Sequence, residues 1–435
     1  MFLNSEYILG AVLILIFCLL LTGIEKRNLR TIFTPFSVLA WPYAAVICVI
    51  NLFAVQYGFY PVSIRCILFI IVSLLFFFIG GMIIPLFFRK SKPFYTSQSE
   101  QVNIVQNTMD FFRPLFILLA IISIITGIFH LIHSIHDAGG WFFIASKKFE
   151  DTYGKGVLSH IMLINRPAFL FLAADNMYKK RITKTLLLVT MFLLILVLQI
   201  KNHIFTILLG GFYFAYLYGL TKVNLKKIIL YSVIVYILFY ISYMIGFSRI
   251  GLSNASSTNV QYYLINLFFT YLFGGPIGFS EILNDSTYPL YSMSEIFAVP
   301  VNLYNALAGD PKLVNIIFFH WIPVSNRHMY FHTSNVFGLF GMVYMYVGTY
   351  ATWLYMFFTG IIAYLLRFLS LEKTSFIGFK MIYAFMLSFL TLSFFGLYFN
   401  ILLIYEASLY MILFPLIYLL LMKIIGRMKI NICLK

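Results

Sequence analysis

Charged side chains are scarce in this sequence, and acidic ones are the scarcest. Asp, Glu, Lys and Arg make up 10% of the 435 residues, and Asp and Glu together number only 14. Soluble globular domains carry about a quarter charged residues, so this composition excludes an ordinary soluble protein. With 62% hydrophobic residues and a mean hydropathy of +0.94, the chain has the composition of a protein that crosses a membrane many times.

Cysteine is also rare, and several catalytic motifs are missing. Cys18, Cys48 and Cys66 lie in or beside apolar runs and Cys433 is near the C-terminus, so no pair is placed for a disulfide. The sequence has no Walker lysine motif, GxSxG, HExxH or paired CxxC. These absences disfavour an ATPase, a soluble-type hydrolase and a metalloprotease. No internal repeat is visible, which disfavours transporter folds built from duplicated halves.

Apolar runs of about 20 residues, the length with which an α-helix crosses a bilayer, recur along the chain. The net charge of +16 is carried by short basic clusters between these runs, a distribution that marks the cytoplasmic side and does not indicate nucleic-acid binding. The segment MFLNSE before the first run carries Glu6 and lacks a basic n-region, so we expect an uncleaved first helix with its N-terminus outside.

The sequence therefore predicts an all-α polytopic membrane protein, a single integral-membrane domain over residues 1–435 with a cytoplasmic C-terminus. About eleven transmembrane helices are predicted, at 7–23, 34–55, 66–88, 114–132, 157–177, 185–200, 203–221, 228–247, 341–366, 380–398 and 406–424.

One predicted outer connection, residues 248–340, is much longer than the others and is expected to be a large structured periplasmic loop. It contains apolar pieces at 262–279, 295–309 and 313–323, which we expect to be re-entrant or interfacial helices. The first piece is also long enough for a full span, and the pattern leaves both possibilities open. Glycines and prolines interrupt these pieces at Gly274, Gly275, Pro276, Pro300 and Pro311.

A few ionisable groups stand at predicted membrane depth or on the outer side, where basic residues are otherwise avoided. Arg166 lies inside the fifth predicted span, directly before Pro167. Lys201 and His203 lie at the outer turn between two spans, and Arg249 follows the end of another. Ionisable residues at such depths usually face an internal cavity. Snorkelling of Lys201 or Arg166 to the headgroups and interfacial anchoring of Arg249 are the simpler alternatives.

The stretch HWIPVSNRHMYFHTSNVFGLFG, residues 320–341, concentrates His320, Arg327, His328 and His332 on the predicted outer side. An arginine presents a planar fork to phosphate oxygens and a histidine titrates near neutral pH, so together these residue types can hold a pyrophosphate and move a proton. A set of polar residues that solvates a loop at headgroup level fits the pattern equally well.

His332 is the candidate general base, because it is closest to the point where the loop re-enters the membrane and a base must be held rigidly. Glu281, Asp285 and Glu295 follow the apolar piece that starts at 262, and one of them is a candidate to orient a histidine or accept a sugar hydroxyl. For at least two of the three we expect a solvated loop face. His130, His133 and His136 recur at spacing three, at which rings on a helix fan apart, so a metal site is not favoured there.

The layout resembles the Wzy-type oligosaccharide repeat-unit polymerases of bacteria, which make O-antigen and related polysaccharides, and more distantly the O-antigen ligases. Local likeness occurs in YGKGVLSHIMLINRPAFLF (153–171), in GFSRIGLSNASS leading into YLFGGPIGFSEIL (246–283), and in the 320–341 stretch. Arg327 and Gly338 fit an Arg-x10-Gly pattern of some of these polymerases. The chain departs from the family in that Arg166 and Arg249 lack a glycine at the matching distance, and Lys201 replaces an arginine.

The resemblance implies a metal-independent glycosyltransferase, without a cofactor, that polymerises undecaprenyl-pyrophosphate-linked oligosaccharide repeat units at the outer face of the bacterial cytoplasmic (inner) membrane. Arg327 and His332 would then be catalytic. The substrate-binding candidates are Arg249, Arg166, Lys201, His328 and Glu281. The implied partners are the lipid-linked oligosaccharides, membrane lipids and a chain-length regulator protein. A polysaccharide flippase is the alternative from another class, and an O-antigen ligase differs only in its acceptor.

Overall fold

The computed structural model describes residues 5–31, 33–88, 98–141, 146–197, 201–222, 257–285, 293–309, 321–329, 332–373 and 376–426, with residues 233, 236, 237, 240, 241 and 314. The longer helices of these residues are α1 (Ser5–Leu29), α2 (Pro35–Leu52), α3 (Ile64–Phe88), α4 (Gln98–Ala138), α5 (Lys147–Thr152), α6 (Gly156–Met162), α7 (Asn165–Tyr178), α8 (Ile182–Val197), α9 (Lys201–Leu217), α10 (Ser257–Asn284), α11 (Ala298–Ala308), α12 (Gly338–Phe368), α13 (Ile377–Leu392) and α14 (Leu402–Ile424).

The prediction of an all-α membrane protein is confirmed. Among the described residues, seven helical stretches are long and apolar enough to cross a membrane: Ser5–Leu29, Pro35–Leu52, Ile64–Phe88, Val105–Ala138, Gly156–Tyr178, Gly338–Leu371 and Leu402–Ile424. Shorter apolar helices cover Ile182–Val197, His203–Leu217 and Ile377–Leu392. A helix with described bounds overlaps every predicted span except 228–247, in which only residues 233, 236, 237, 240 and 241 are described, all of them helical. The total of eleven spans stays a prediction.

Contacts divide the chain into two compact units, and the single membrane domain stays a prediction. Unit 1 comprises Met1–Arg89, Ser256–Leu365 and Phe389–Leu402. Unit 2 comprises Lys90–Ala255, Leu366–Ser388 and Leu403–Lys435.

In unit 1, glycines let the backbones of α3 and α12 approach closely. A Cβ atom at Gly80 would lie 2.1 Å from the carbonyl oxygen of Phe357, and one at Gly360 would lie 2.1 Å from that of Phe77. Small residues at helix contacts are typical of membrane proteins, where close packing replaces the hydrophobic effect between helices. Gly348, with φ of 74°, interrupts α12 with a conformation that favours glycine.

The piece at 262–279 is one continuous helix in unit 1, since α10 runs through Gly274, Gly275 and Pro276. The interruption expected there was wrong. These glycines provide a flat surface: a Cβ at Gly275 would lie 1.9 Å from the carbonyl oxygen of Phe394, and one at Gly274 would lie 2.4 Å from the Ser334 hydroxyl. The sequence signal that suggested a break is therefore a signal for close packing.

The last apolar piece, 313–323, is not helical where the structure describes its C-terminal end. Strand β1 (Ile322–Pro323) pairs antiparallel with β2 (Thr333–Ser334) in unit 1. The backbone N–H groups of Tyr60 and Asn326 donate to the carbonyls of Val324 and Gly58, at 3.0 and 2.8 Å, and attach the hairpin to the chain before α3. Residues 315–320 lie outside the described part. The prediction of a helix was therefore wrong for Ile322 and Pro323.

Unit 2 contains a helix break within the predicted span 157–177. A turn at Leu163 and Ile164 separates α6 from α7. Pro167 has no N–H to donate to the carbonyl of Leu163 four residues earlier, so a continuous helix would lose that bond. The Arg166 N–H donates to this carbonyl instead, at 3.0 Å, which starts α7 in a new position and fixes Arg166 in its first turn.

A buried ionic cluster ties α4, α7 and α8 together in unit 2. The Arg113 guanidinium donates from Nε and Nη2 to the two carboxylate oxygens of Asp175, at 2.8 and 2.7 Å. Lys184 Nζ donates to the same carboxylate at 2.7 Å. The side chains of Asp175 and Lys184 are 0% and 1% exposed, so this carboxylate balances the charge of Lys184 out of contact with water.

Candidate functional site

Arg166 is a buried cation near the N-terminal ends of three helices in unit 2. It is the second residue of α7 and is 5% exposed. Its Nη1 donates to the backbone carbonyl of Leu403, the second residue of α14, at 2.9 Å. Its Nη2 lies 2.8 Å from Nδ1 of His203, the third residue of α9. The sequence selected Arg166 and His203 as unusual polar groups, and the fold brings them into contact.

The contact with Arg166 fixes the protonation of His203. A guanidinium only donates hydrogen bonds, so Nδ1 of His203 must accept, and the imidazole is neutral with its proton on Nε2. His203 is therefore a second donor in this region and not a base. Within the described part of the chain, the two bonds use two of the five N–H donors of the guanidinium, and the other three are available to oxygen atoms of a ligand.

A second polar pair joins α6 to α14. His160 Nδ1, on α6, is 2.7 Å from the Glu406 carboxylate on α14. The Tyr410 hydroxyl donates to the other carboxylate oxygen at 2.9 Å. A carboxylate only accepts, so His160 carries a proton on Nδ1, and in the neutral imidazole the free electron pair is then on Nε2. The His160 side chain is 46% exposed and that of Glu406 is 18% exposed.

The two pairs form one site because α14 connects them. Leu403, Glu406 and Tyr410 follow at spacings of three and four, so they lie on one face of α14. Leu403 and Glu406 are separated by about 4.5 Å along the helix axis. The Glu406 carboxylate also interacts electrostatically with Arg166. We call His160, Arg166, His203, Glu406 and Tyr410 the arginine–histidine site.

The predicted residues of the 320–341 stretch lie in the hairpin of unit 1. Arg327 and His328 are exposed in the turn between β1 and β2. His332 is also exposed, and its backbone carbonyl accepts the N–H groups of Val324 and Ser325 at 2.7 and 3.3 Å. The hairpin thus holds the backbone of His332 in place. His320 lies outside the described residues, and the catalytic roles of Arg327 and His332 stay predictions.

Gly338, the glycine of the Arg-x10-Gly pattern, has a structural explanation. Its φ of 63° favours glycine, and a Cβ would lie 2.9 Å from both the Tyr43 hydroxyl and the Phe394 carbonyl oxygen. The Tyr43 hydroxyl donates to the Ser393 carbonyl at 2.7 Å and accepts the Leu339 N–H at 2.9 Å. Gly338 therefore allows α12 to start against this pair of hydrogen bonds.

The remaining predicted residues have less described structure. Glu281 is half-buried on α10, and its burial together with the nearby Asp285 carboxylate raises the pKa of its carboxyl group. Lys201 is the first residue of α9, but its side chain lies outside the described part. Arg249 lies outside the described residues altogether. Within the described part of the chain, no group of three His, Cys, Asp or Glu side chains is placed to hold a metal ion.

The sequence interpretation missed His160, Glu406 and Tyr410. Glu406 gave the clearest available signal, since it is an acidic residue at the start of a predicted span, and ionisable residues in spans are functional candidates by default. Its partner His160 is 246 positions away, a distance in sequence across which no local pattern links two residues.

The fold and the arginine–histidine site define an all-α membrane protein with a buried cation at its helix ends. The chain belongs to a family of unknown function, DUF6337, whose model matches residues 54–427. Neither a curated protein nor a solved structure matches the chain.

Proposed function

We propose that the chain is a metal-independent glycosyltransferase that joins undecaprenyl-pyrophosphate-linked oligosaccharide repeat units at the outer face of the bacterial cytoplasmic membrane. The observation that carries the proposal is Arg166, 5% exposed and held by His203 and the Leu403 carbonyl. A charge in an apolar helix bundle costs free energy, so a buried arginine with donors to spare indicates a binding site for an anion.

A pyrophosphate fits this site for two reasons. The planar guanidinium matches phosphate oxygens with two parallel hydrogen bonds. The N-terminal ends of α9 and α14 lie at the same site, and each adds partial positive charge from its first-turn backbone N–H groups. Negative charge on the leaving pyrophosphate grows as its bond to the sugar breaks, and donors already in place stabilise that charge without a metal ion.

We also propose the membrane topology that the sequence predicts. Eleven spans put the N-terminus outside, the C-terminus in the cytoplasm and residues 248–340 in the periplasm. In this threading the starts of α9 and α14 are at the outer side, and the start of α7 is in the outer half of the fifth span. The hairpin with Arg327, His328 and His332 is also at the outer side. Glu281, Arg249 and Lys201 are further proposed substrate contacts. Membrane lipids and a chain-length regulator protein are the proposed partners.

Cysteine labelling checks this topology. In a background whose native cysteines are replaced by alanine, single cysteines at the exposed positions Asn326, His136 and Arg181 are treated with an impermeant maleimide. We expect labelling at Asn326 and His136 in intact spheroplasts, and at Arg181 only after the membrane is permeabilised. Equal labelling at all three positions before permeabilisation would show the threading to be wrong.

The activity is tested with the lipid extract of a strain that lacks its own copy of the gene, because such cells are expected to accumulate unpolymerised lipid-linked units. Purified protein added to this extract should give products that increase by one repeat unit at a time, with release of undecaprenyl pyrophosphate, and EDTA should not change the rate. A flippase would bind the same lipid headgroup but leave the product length unchanged. Unaltered oligosaccharide would therefore disprove the transferase.

A further inference from the structure

The His160–Glu406 pair has the geometry of an acid–base catalyst. A general base must present a free electron pair while its other side is held in a fixed orientation. Glu406 accepts from His160 Nδ1 at 2.7 Å, so the neutral imidazole presents its free electron pair at Nε2. The opposite tautomer occurs at His203, whose Nδ1 accepts from Arg166. Toward a ligand, neutral His160 therefore accepts a hydrogen bond through Nε2, and His203 donates one through its own Nε2.

The surroundings of Glu406 favour this role over a simple surface contact. Its two carboxylate oxygens are occupied separately, one by His160 and the other by the Tyr410 hydroxyl at 2.9 Å. A carboxylate with two donors is fixed in rotation and can stabilise a positive charge on the imidazole. The His160 side chain is still 46% exposed, so the fold does not enclose its ring.

We propose that His160, oriented by Glu406 and Tyr410, is the general base that deprotonates the acceptor sugar hydroxyl. The inference rests on the proposed function and assigns the base to a residue other than His332. The hydroxyl proton moves to Nε2 of His160 as the hydroxyl oxygen bonds to the anomeric carbon of the donor sugar. The bond from that carbon to the pyrophosphate oxygen breaks, and its electron pair leaves with the pyrophosphate. The imidazolium then releases its proton to water.

Arg166 and His160 have complementary places in this step. Arg166 contacts α14 at Leu403 and His160 contacts it at Glu406, about one helical turn apart. The leaving group and the attacking hydroxyl are on opposite sides of one sugar carbon, so a cation for the first and a base for the second must be neighbours. The site supplies both from side chains that the same helix holds in position.

The test compares variants of the purified protein on the lipid extract of the deletion strain. We expect His160→Gln to lower kcat by about 100-fold or more, the usual effect of losing a general base, with a small change in KM. Glu406→Gln should lower kcat by a similar factor, and Tyr410→Phe by less, since it removes only one donor to the carboxylate.

The matched control is His133→Gln. His133 is also paired with a carboxylate in unit 2, at 3.3 Å from Asp137, but its side chain is 61% exposed and lies outside the site. This variant should remain within a few-fold of wild type. His332→Gln is measured beside it as the variant of the alternative base. Thermal unfolding of each purified variant is measured alongside. If His160→Gln does not fold, His160→Asn takes its place as the test variant, since the position is half-exposed.

The outcomes separate the base assignment from the activity itself. If the wild type polymerises and His160→Gln or His160→Asn works within a few-fold of the wild-type rate, the assignment to His160 is overturned. A large loss in His332→Gln with an active His160→Gln would return the role to His332. If the wild-type protein leaves the oligosaccharides of the extract unchanged, the proposed function is overturned, and the base assignment with it.

Discussion

Cells that carry Arg166→Lys in place of the wild-type protein are expected to make about 100-fold less polymer, and Arg166→Ala cells about 1000-fold less. Lysine keeps the positive charge but loses the planar fork. It cannot donate to the Leu403 carbonyl, to His203 and to two phosphate oxygens in the arrangement that the guanidinium allows. Alanine removes the charge as well. The measurement is the length and amount of polysaccharide on a gel, at equal protein expression.

Two controls make this result specific to the site. Arg65→Lys changes an exposed arginine in the first turn of α3 and should leave the polymer unchanged. At His203, glutamine can still accept from Arg166 through its amide oxygen and donate through its nitrogen, whereas leucine can do neither. His203→Leu should therefore lose much more activity than His203→Gln. Full polymer ladders from Arg166→Lys and Arg166→Ala cells would remove Arg166 from the reaction.

Asp175→Ala should destabilise unit 2 by about 3–5 kcal/mol, the usual cost of removing one partner from a buried ion pair. The change leaves Arg113 and Lys184, which both donate to the Asp175 carboxylate, without that partner. Lys184 is 1% exposed, so water cannot replace the carboxylate. The measurement is thermal denaturation of the purified protein in detergent, which gives the midpoint temperature of unfolding.

The Asp151–Lys155 pair is the matched control. Its distance is also 2.7 Å, but its side chains are 54% and 62% exposed. Asp151→Ala should change the stability by less than about 1 kcal/mol, because an exposed ion pair contributes little. Combining Asp175→Leu with Arg113→Met and Lys184→Met should recover much of the lost stability, since apolar residues often replace a buried ionic cluster at little cost. Equal effects of Asp175→Ala and Asp151→Ala would contradict the role given to burial.

The helices could be predicted from the sequence because each is encoded locally. Apolar runs of sufficient length must form helices in a bilayer, since the backbone has no water to bond with there. The predicted ends of helices are less accurate where residues distant in sequence form hydrogen bonds with the end of the helix. The span predicted at 380–398 ends as a helix at Leu392, where the Ser393 carbonyl accepts hydrogen bonds from Tyr43 and Leu339. Neither partner is visible from the sequence around Ser393.

The sequence by itself determined that the protein is a helical membrane protein, and it selected Arg166, Lys201 and His203 as unusual groups, because a polar residue is conspicuous among apolar ones. Only the tertiary structure decided which polar groups meet. Arg166 contacts Leu403 across 237 positions, and His160 contacts Glu406 across 246. Such pairs depend on how helices distant in sequence pack together. A buried charge must find its partner through that packing, because the apolar residues beside it in the sequence offer none.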